Sequence, residues 1–170
     1  MLGAEEEDMR CLAFVVSFAL LSAAPPRPDF SGTWDMDASR SESAHQDVPI
    51  GPVALVIRQN TTEIAIETRR TGGPTEMLVF RLDGAEKKNV GESGLSINAK
   101  AHWDGAKLVM ETEREISGAT VTTMQVFTMD AGGKEIVVRK TLTVQHGYQS
   151  PGSPKTTGSG TDTFVKATKK

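Results

Sequence analysis

Cysteine is nearly absent from this sequence: 170 residues hold one, Cys11, and it sits inside an apolar run near the N-terminus. A disulfide within the chain is therefore excluded, and past residue 11 no thiolate is available for catalysis or metal binding. Aromatic residues make up only 5% of the chain, with two tryptophans, Trp34 and Trp103. No apolar run reaches the roughly 20 residues that a membrane-spanning helix needs. The three histidines, His45, His102 and His146, show neither H-x-H nor H-x-x-x-H spacing, so no metal centre and no cofactor are expected. Beyond residue 24 no stretch sustains a 3.6-residue apolar period, which predicts a chain without long helices.

The one long apolar run has a different reading. Arg10, the stretch Cys11 to Leu21 and the small residues Ser22-Ala23-Ala24 have the form of an export signal, with cleavage predicted after Ala24. A membrane anchor is the alternative, disfavoured by the shortness of the run and the prolines that follow. The acidic prefix MLGAEEED does not suit the positively charged start of a signal, which makes Met9 the expected true start. Cys11 stands at the head of the apolar run instead of just after it, so it is not a lipoprotein cysteine. The predicted organisation is a signal peptide over 1–24 and a single domain over 25–170. Removing Arg10, Glu5, Glu6, Glu7 and Asp8 from 19 bases and 22 acids leaves 18 of each. A net charge of zero gives no broad field for nucleic acid or anionic lipid, although Lys166, Lys169 and Lys170 make the C-terminus locally basic. An exported domain without disulfides rests on its core alone, which points to a periplasmic or secreted protein with no stable membrane insertion of the mature chain.

What the sequence does contain is alternation. VALVIRQ and EIAIETRR flank Asn60-Thr61, with Ile64 and Ile66 on one face and Glu63, Glu67 and Arg69 on the other. Leu78, Phe80 and Leu82 share a face before Asp83-Gly84, which supplies the turn of a tight hairpin, and a short strand over 86–90 is expected to return from it. GLSINAKAHW places Leu95, Ile97, Ala99, Ala101 and Trp103 inward. Asp104-Gly105 then turns the chain into KLVMETERE, with Leu108, Met110 and Thr112 facing one way and Val109, Glu111, Glu113 and Glu115 the other. TVTTMQVFTMD turns at Ala131-Gly132-Gly133 into KEIVVRKTLTVQH, whose inward set Ile136, Val138, Leu142 and Val144 is interrupted by Lys140. The segment 147–160, rich in glycine, proline and serine, reads as a mobile loop before a last strand at TDTFVKA. The expected fold is all-β: an antiparallel up-and-down meander of eight to ten strands closed into a barrel, which removes exposed strand edges. A β-sandwich is the alternative that buries the same strands.

The start of this meander, Phe30-Ser31-Gly32-Thr33-Trp34, resembles the G-x-W start of the lipocalins and the F-x-G-x-W start of the intracellular fatty-acid-binding proteins, together the calycins. The order DFSGTW, LVIRQN, LDG, AHWDGAKLVMETE and DAGGKEIVVRKT resembles a group of exported bacterial lipocalin-like proteins of unassigned function. That resemblance implies a barrel whose closed end is plugged by Trp34 and Phe30, with Gly32 letting the strand bend and a basic residue, Arg139 or Lys166, packed over the indole. The arginine and tyrosine with which fatty-acid-binding proteins hold a carboxylate near their C-terminus have no match in TDTFVKATKK. TDTF resembles the lipocalin T-D-Y element in letters but lies too close to the chain end to be its equivalent.

Residues with possible chemistry have ordinary readings. Asp35 and Asp37 fall on one face of a strand, yet nothing apolar surrounds them to raise one pKa. Glu111, Glu113 and Glu115 form the wet side of a strand. PGSPKTTGSG lacks the Gly-Lys-Ser/Thr of a phosphate loop, and no serine stands in a nucleophile elbow. Asn60-Thr61-Thr62 is a formal glycosylation sequon at a hairpin tip and reads as a turn. No enzyme activity is expected. Phe80, Trp103, Met110, Met124 and Val138 are expected to line the barrel interior, where adaptable methionine and flat aromatic rings suit a small apolar or amphipathic ligand. A barrel filled by its own side chains, acting as a structural or interaction module of the cell envelope, is the alternative.

Overall fold

A computed structural model describes residues 26–47, 49–91, 94–148 and 155–168. The predicted signal peptide and its cleavage point lie outside the described residues, as do residues 149–154 of the predicted loop. Ten strands form one antiparallel sheet: β1 (Gly32–Met36), β2 (Val53–Gln59), β3 (Glu63–Arg70), β4 (Glu76–Arg81), β5 (Lys87–Val90), β6 (Ser96–Asp104), β7 (Lys107–Ile116), β8 (Ala119–Met129), β9 (Glu135–His146) and β10 (Thr156–Lys166). Each strand pairs with its neighbour in sequence except at two places. β1 pairs β10, and backbone pairing stops between β4 and β5. The result is a nearly closed up-and-down barrel rather than a sandwich.

Side chains close the seam that the backbone leaves open. The Asn89 side chain accepts from the Val79 amide at 2.8 Å and donates to the Val79 carbonyl at 3.0 Å, imitating a strand pairing. Lys87 reaches Glu63 at 2.6 Å on the same side of the barrel.

Alternation sets what the barrel contains. The inward residues of the half nearest the β2–β3, β6–β7 and β8–β9 turns are large and apolar: Trp34, Ile57, Ile64, Leu108, Met110 and Ile136 are essentially inaccessible to water. Phe30, just before β1, stacks on Trp103 with centroids 6.1 Å apart and meets Phe127 edge-on at 5.9 Å. The Trp34 indole donates to the Phe30 carbonyl at 2.9 Å, which satisfies the one polar atom of a wholly buried ring. The Lys166 ammonium lies 5.1 Å from the centroid of the same indole. Gly32 has φ +142°, and a Cβ there would stand 3.2 Å from Lys166 Cε. The backbone angle favours glycine here, and a Cβ would also press on the lysine stem that crosses it.

Three features differ from the sequence-based expectation. Arg139 faces outward on β9 and is exposed, so the cation over Trp34 is Lys166. Residues 156–160, read as part of a mobile loop, belong to β10, where Gly158 pairs with Leu142 and Gly160 with Lys140. Glycine signals a loop locally, but here the long strand β9 supplies the partners and overrides it. Two short 3-10 turns, Ala38–Arg40 and Glu42–His45, join β1 to β2. They begin at Asp37, which lies outside β1 and accepts from the Ser39 amide and hydroxyl at 3.1 and 2.6 Å instead of pairing with Asp35.

Candidate functional site: the hollow half of the barrel

The other half of the interior is open space. A cavity of about 550 Å³ lies between the upper parts of β2, β3, β4, β7, β8, β9 and β10. Its floor is apolar, with Leu55, Phe80, Phe127, Val138 and Phe164; its walls carry Thr68, Thr112, Thr123 and Gln125; its rim carries Ile50, Ile116 and Leu142. Its volume falls within the roughly 300–1,000 Å³ of small-molecule pockets, and an apolar floor with a few polar wall groups is the usual composition of such sites.

Four charged residues also line it: Arg70, Glu76, Arg114 and Lys140. Glu76 and Arg114 meet across the β4–β5 seam at 2.9 and 3.4 Å. Lys140 bonds to Asp162, whose carboxylate is wholly buried and also accepts from the Ser43 hydroxyl at 2.6 Å and the Ser43 amide at 3.0 Å. Burial opposes the charge on Asp162, but Lys140 and Ser43 outweigh it and hold the carboxyl below its ordinary range. The same cluster secures the segment between β1 and β2: the Thr163 amide donates to Ser41 Oγ at 3.0 Å, and the Asp37 amide to the Thr163 carbonyl at 2.9 Å. Gly160 on β10 makes room for this segment, since a Cβ there would lie 3.3 Å from Glu42 Oε2.

Of the five residues expected to line the interior, Phe80 and Val138 face the cavity. Trp103 and Met110 are instead part of the packed half, the first stacked on Phe30 with Arg27 5.5 Å from its ring, the second buried beneath the cavity. Met124 is a correction. It points to solvent with 43% of its surface exposed, because β8 turns Val121, Thr123, Gln125 and Phe127 inward. The hydrophobic pattern misleads on β8 because the cavity wall is partly polar, which inverts the usual apolar-in rule. Leu95, also expected inward, lies before β6 and is exposed. Lys140, seen only as an interruption of β9, is an inward member of the site, and so are Arg70 and Arg114.

Among the described residues no group of three or more His, Cys, Asp or Glu side chains is placed to hold a metal ion. His45 ends a 3-10 turn, His102 is exposed on β6 and His146 stacks on Tyr148 at 5.1 Å. Among the described residues no helix is long and apolar enough to cross a membrane.

No protein-family model matches the chain, and no curated protein matches it. Solved structures do. The chain is similar to apo lipid binding protein 8 of Caenorhabditis elegans, with 13% identity and a TM-score of 0.51 over 81% of this chain and 95% of that one. Fatty-acid-binding protein 1 of Echinococcus granulosus gives 16% identity and a TM-score of 0.51 over 82% and 98%. Zebrafish ileal bile acid-binding protein, solved with cholic acid, gives 14% and 0.52 over 81% and 98%. At such identities the likeness is one of fold: a calycin-type β-barrel.

Proposed function

We propose that this chain is a non-catalytic binding protein that holds one small apolar or amphipathic molecule in the hollow half of its barrel. The observation that carries this is the cavity of about 550 Å³ above a fully packed base. A barrel serving only as a scaffold has no need of an empty half, since unfilled interior volume costs stability. The structural neighbours named for lipid, fatty acid and bile acid binding support the reading, because they share the barrel. Residues 10–24 add that the protein is exported and works in the periplasm or outside the cell.

Native mass spectrometry of protein purified without detergent tests the binding role. A mass increment that disappears on denaturation, from a molecule extractable into organic solvent, is the expected result; apo protein that takes up no member of a hydrophobic compound panel contradicts it. N-terminal sequencing of protein recovered from the exported fraction tests the address. A chain beginning at Pro25 is expected, and retention of residues 9–24 on a cell-associated protein overturns it.

A further inference from the structure

The charges on the cavity wall are unequal in one respect. Glu76 balances Arg114 and Asp162 balances Lys140. On β3, the outward Arg69 is paired with Glu67 at 2.7 Å. The next residue, Arg70, turns inward at the last position of the strand, opposite the inward Val53, and makes no ion pair among the described residues. Arg70 lines the upper cavity and also the groove that runs to Gly91, Leu95 and Ile97 at the β4–β5 seam. The net charge of the wall is positive, and the excess sits at the rim. At the other end of the cavity the floor is apolar, β10 offers Phe164, Asp162 and glycines to the interior, and the nearest cation, Lys140, is already held by Asp162.

From this asymmetry we propose that the ligand is an amphipath with a single anionic headgroup, held head-outward, with its acid on Arg70 at the rim and its tail against Phe80, Phe127, Val138 and Phe164. The inference rests on the cavity being the binding site. Arginine presents a planar fork of donors that matches a carboxylate or sulfate, while the partly exposed rim keeps the desolvation of both ions small. A head-inward pose would bury the acid against phenylalanine and leucine with no unpaired cation to meet it.

Displacement of the neutral dye Nile red by three ligands of one tail length tests this: dodecanoate, dodecanol and dodecyltrimethylammonium, at neutral pH. Dodecanoate is expected to bind roughly fivefold tighter than dodecanol, as a charge-assisted contact at a partly exposed site allows, and the cation weakest. Arg70→Gln should bring dodecanoate and dodecanol to equal affinity, and Arg70→Lys should restore part of the preference for the acid. Arg69→Gln removes the same charge one residue away on the outer face and should change nothing. Equal affinities for acid and alcohol in the wild type, a preference that survives Arg70→Gln, or an equal loss in Arg69→Gln overturns the headgroup assignment alone. Failure of all three ligands to displace the dye overturns the binding function and this inference with it.

Discussion

In the lower half of the barrel, Phe30, Trp34, Trp103, Leu108, Met110 and Ile136 fill the interior; a few residues further along the same strands, Thr112, Thr123, Gln125 and Lys140 face an empty space. Both halves are built by one set of hydrogen-bonded ladders, and nothing in the ladders distinguishes them. The difference lies in the inward side chains alone. Below, they are large, apolar and mutually complementary, which supplies the stability of a domain that has no disulfide. Above, they are shorter or polar and leave volume, while the buried Asp162 cluster supports the rim where hydrophobic packing does not. Packing and open volume are therefore assigned to different ends of one barrel.

Substitutions can break that division, beginning with the packed end. Trp34→Ala should cost about 3–5 kcal/mol, the usual loss for a large buried aromatic, and leave a domain close to unfolding. Urea denaturation followed by circular dichroism measures it, and wild-type stability would refute the role given to Trp34.

Asp162→Ala comes next, at about 2–4 kcal/mol, because it leaves Lys140 without its carboxylate and Ser43 without its acceptor. The same carboxyl gives a pH dependence. Its folded-state pKa is lowered, so its contribution is fully present above the ordinary value of 3.8 and is lost as pH falls through the lower folded value. Denaturation midpoints measured down the acid range should fall more steeply for the wild type than for Asp162→Asn.

Gly32→Ala should cost about 1–2 kcal/mol, since alanine meets both an unfavourable φ and the Lys166 stem. The smallest effect belongs to the hollow end. Leu142→Ala, at a rim position 44% exposed, should change stability by less than about 1 kcal/mol. A loss there as large as at Trp34 would erase the contrast between the halves.

The up-and-down order and most hairpins are legible in the sequence because alternation and turn residues are local signals, but Asp83-Gly84 reads as a tight hairpin where β4 and β5 do not pair, and Trp103 and Met110 read as cavity lining where they pack the base. Trp34, Phe30 and Gly32 stood out for the same reason. The cavity did not, because the residues that create it are those a hydrophobic pattern assigns to solvent: Thr112 was counted on the inward face, but Thr123, Gln125, Arg70 and Arg114 were not read as lining. Met124 went to the wrong face by the same logic, since its hydrophobicity outweighed the phase set by Phe127. The glycines of β10 hid a strand, for glycine has no side chain to show which face it occupies and depends on its neighbours for pairing. Nor did spacing reveal the Lys140–Asp162–Ser43 cluster, whose members meet only when β9, β10 and the segment before β2 come together.

The central claim, that the upper half is an empty binding site separable from the fold, is tested most directly by Nile red titration of the wild type and Thr123→Phe in parallel with their denaturation curves. Thr123 lines the cavity wall, and a phenyl ring there occupies the space without disturbing the base. Saturable dye binding by the wild type at one site, at least tenfold weaker in Thr123→Phe, with midpoints of unfolding unchanged within about 0.5 kcal/mol, is the predicted result. Equal dye binding by the two proteins, or none by either, would contradict it.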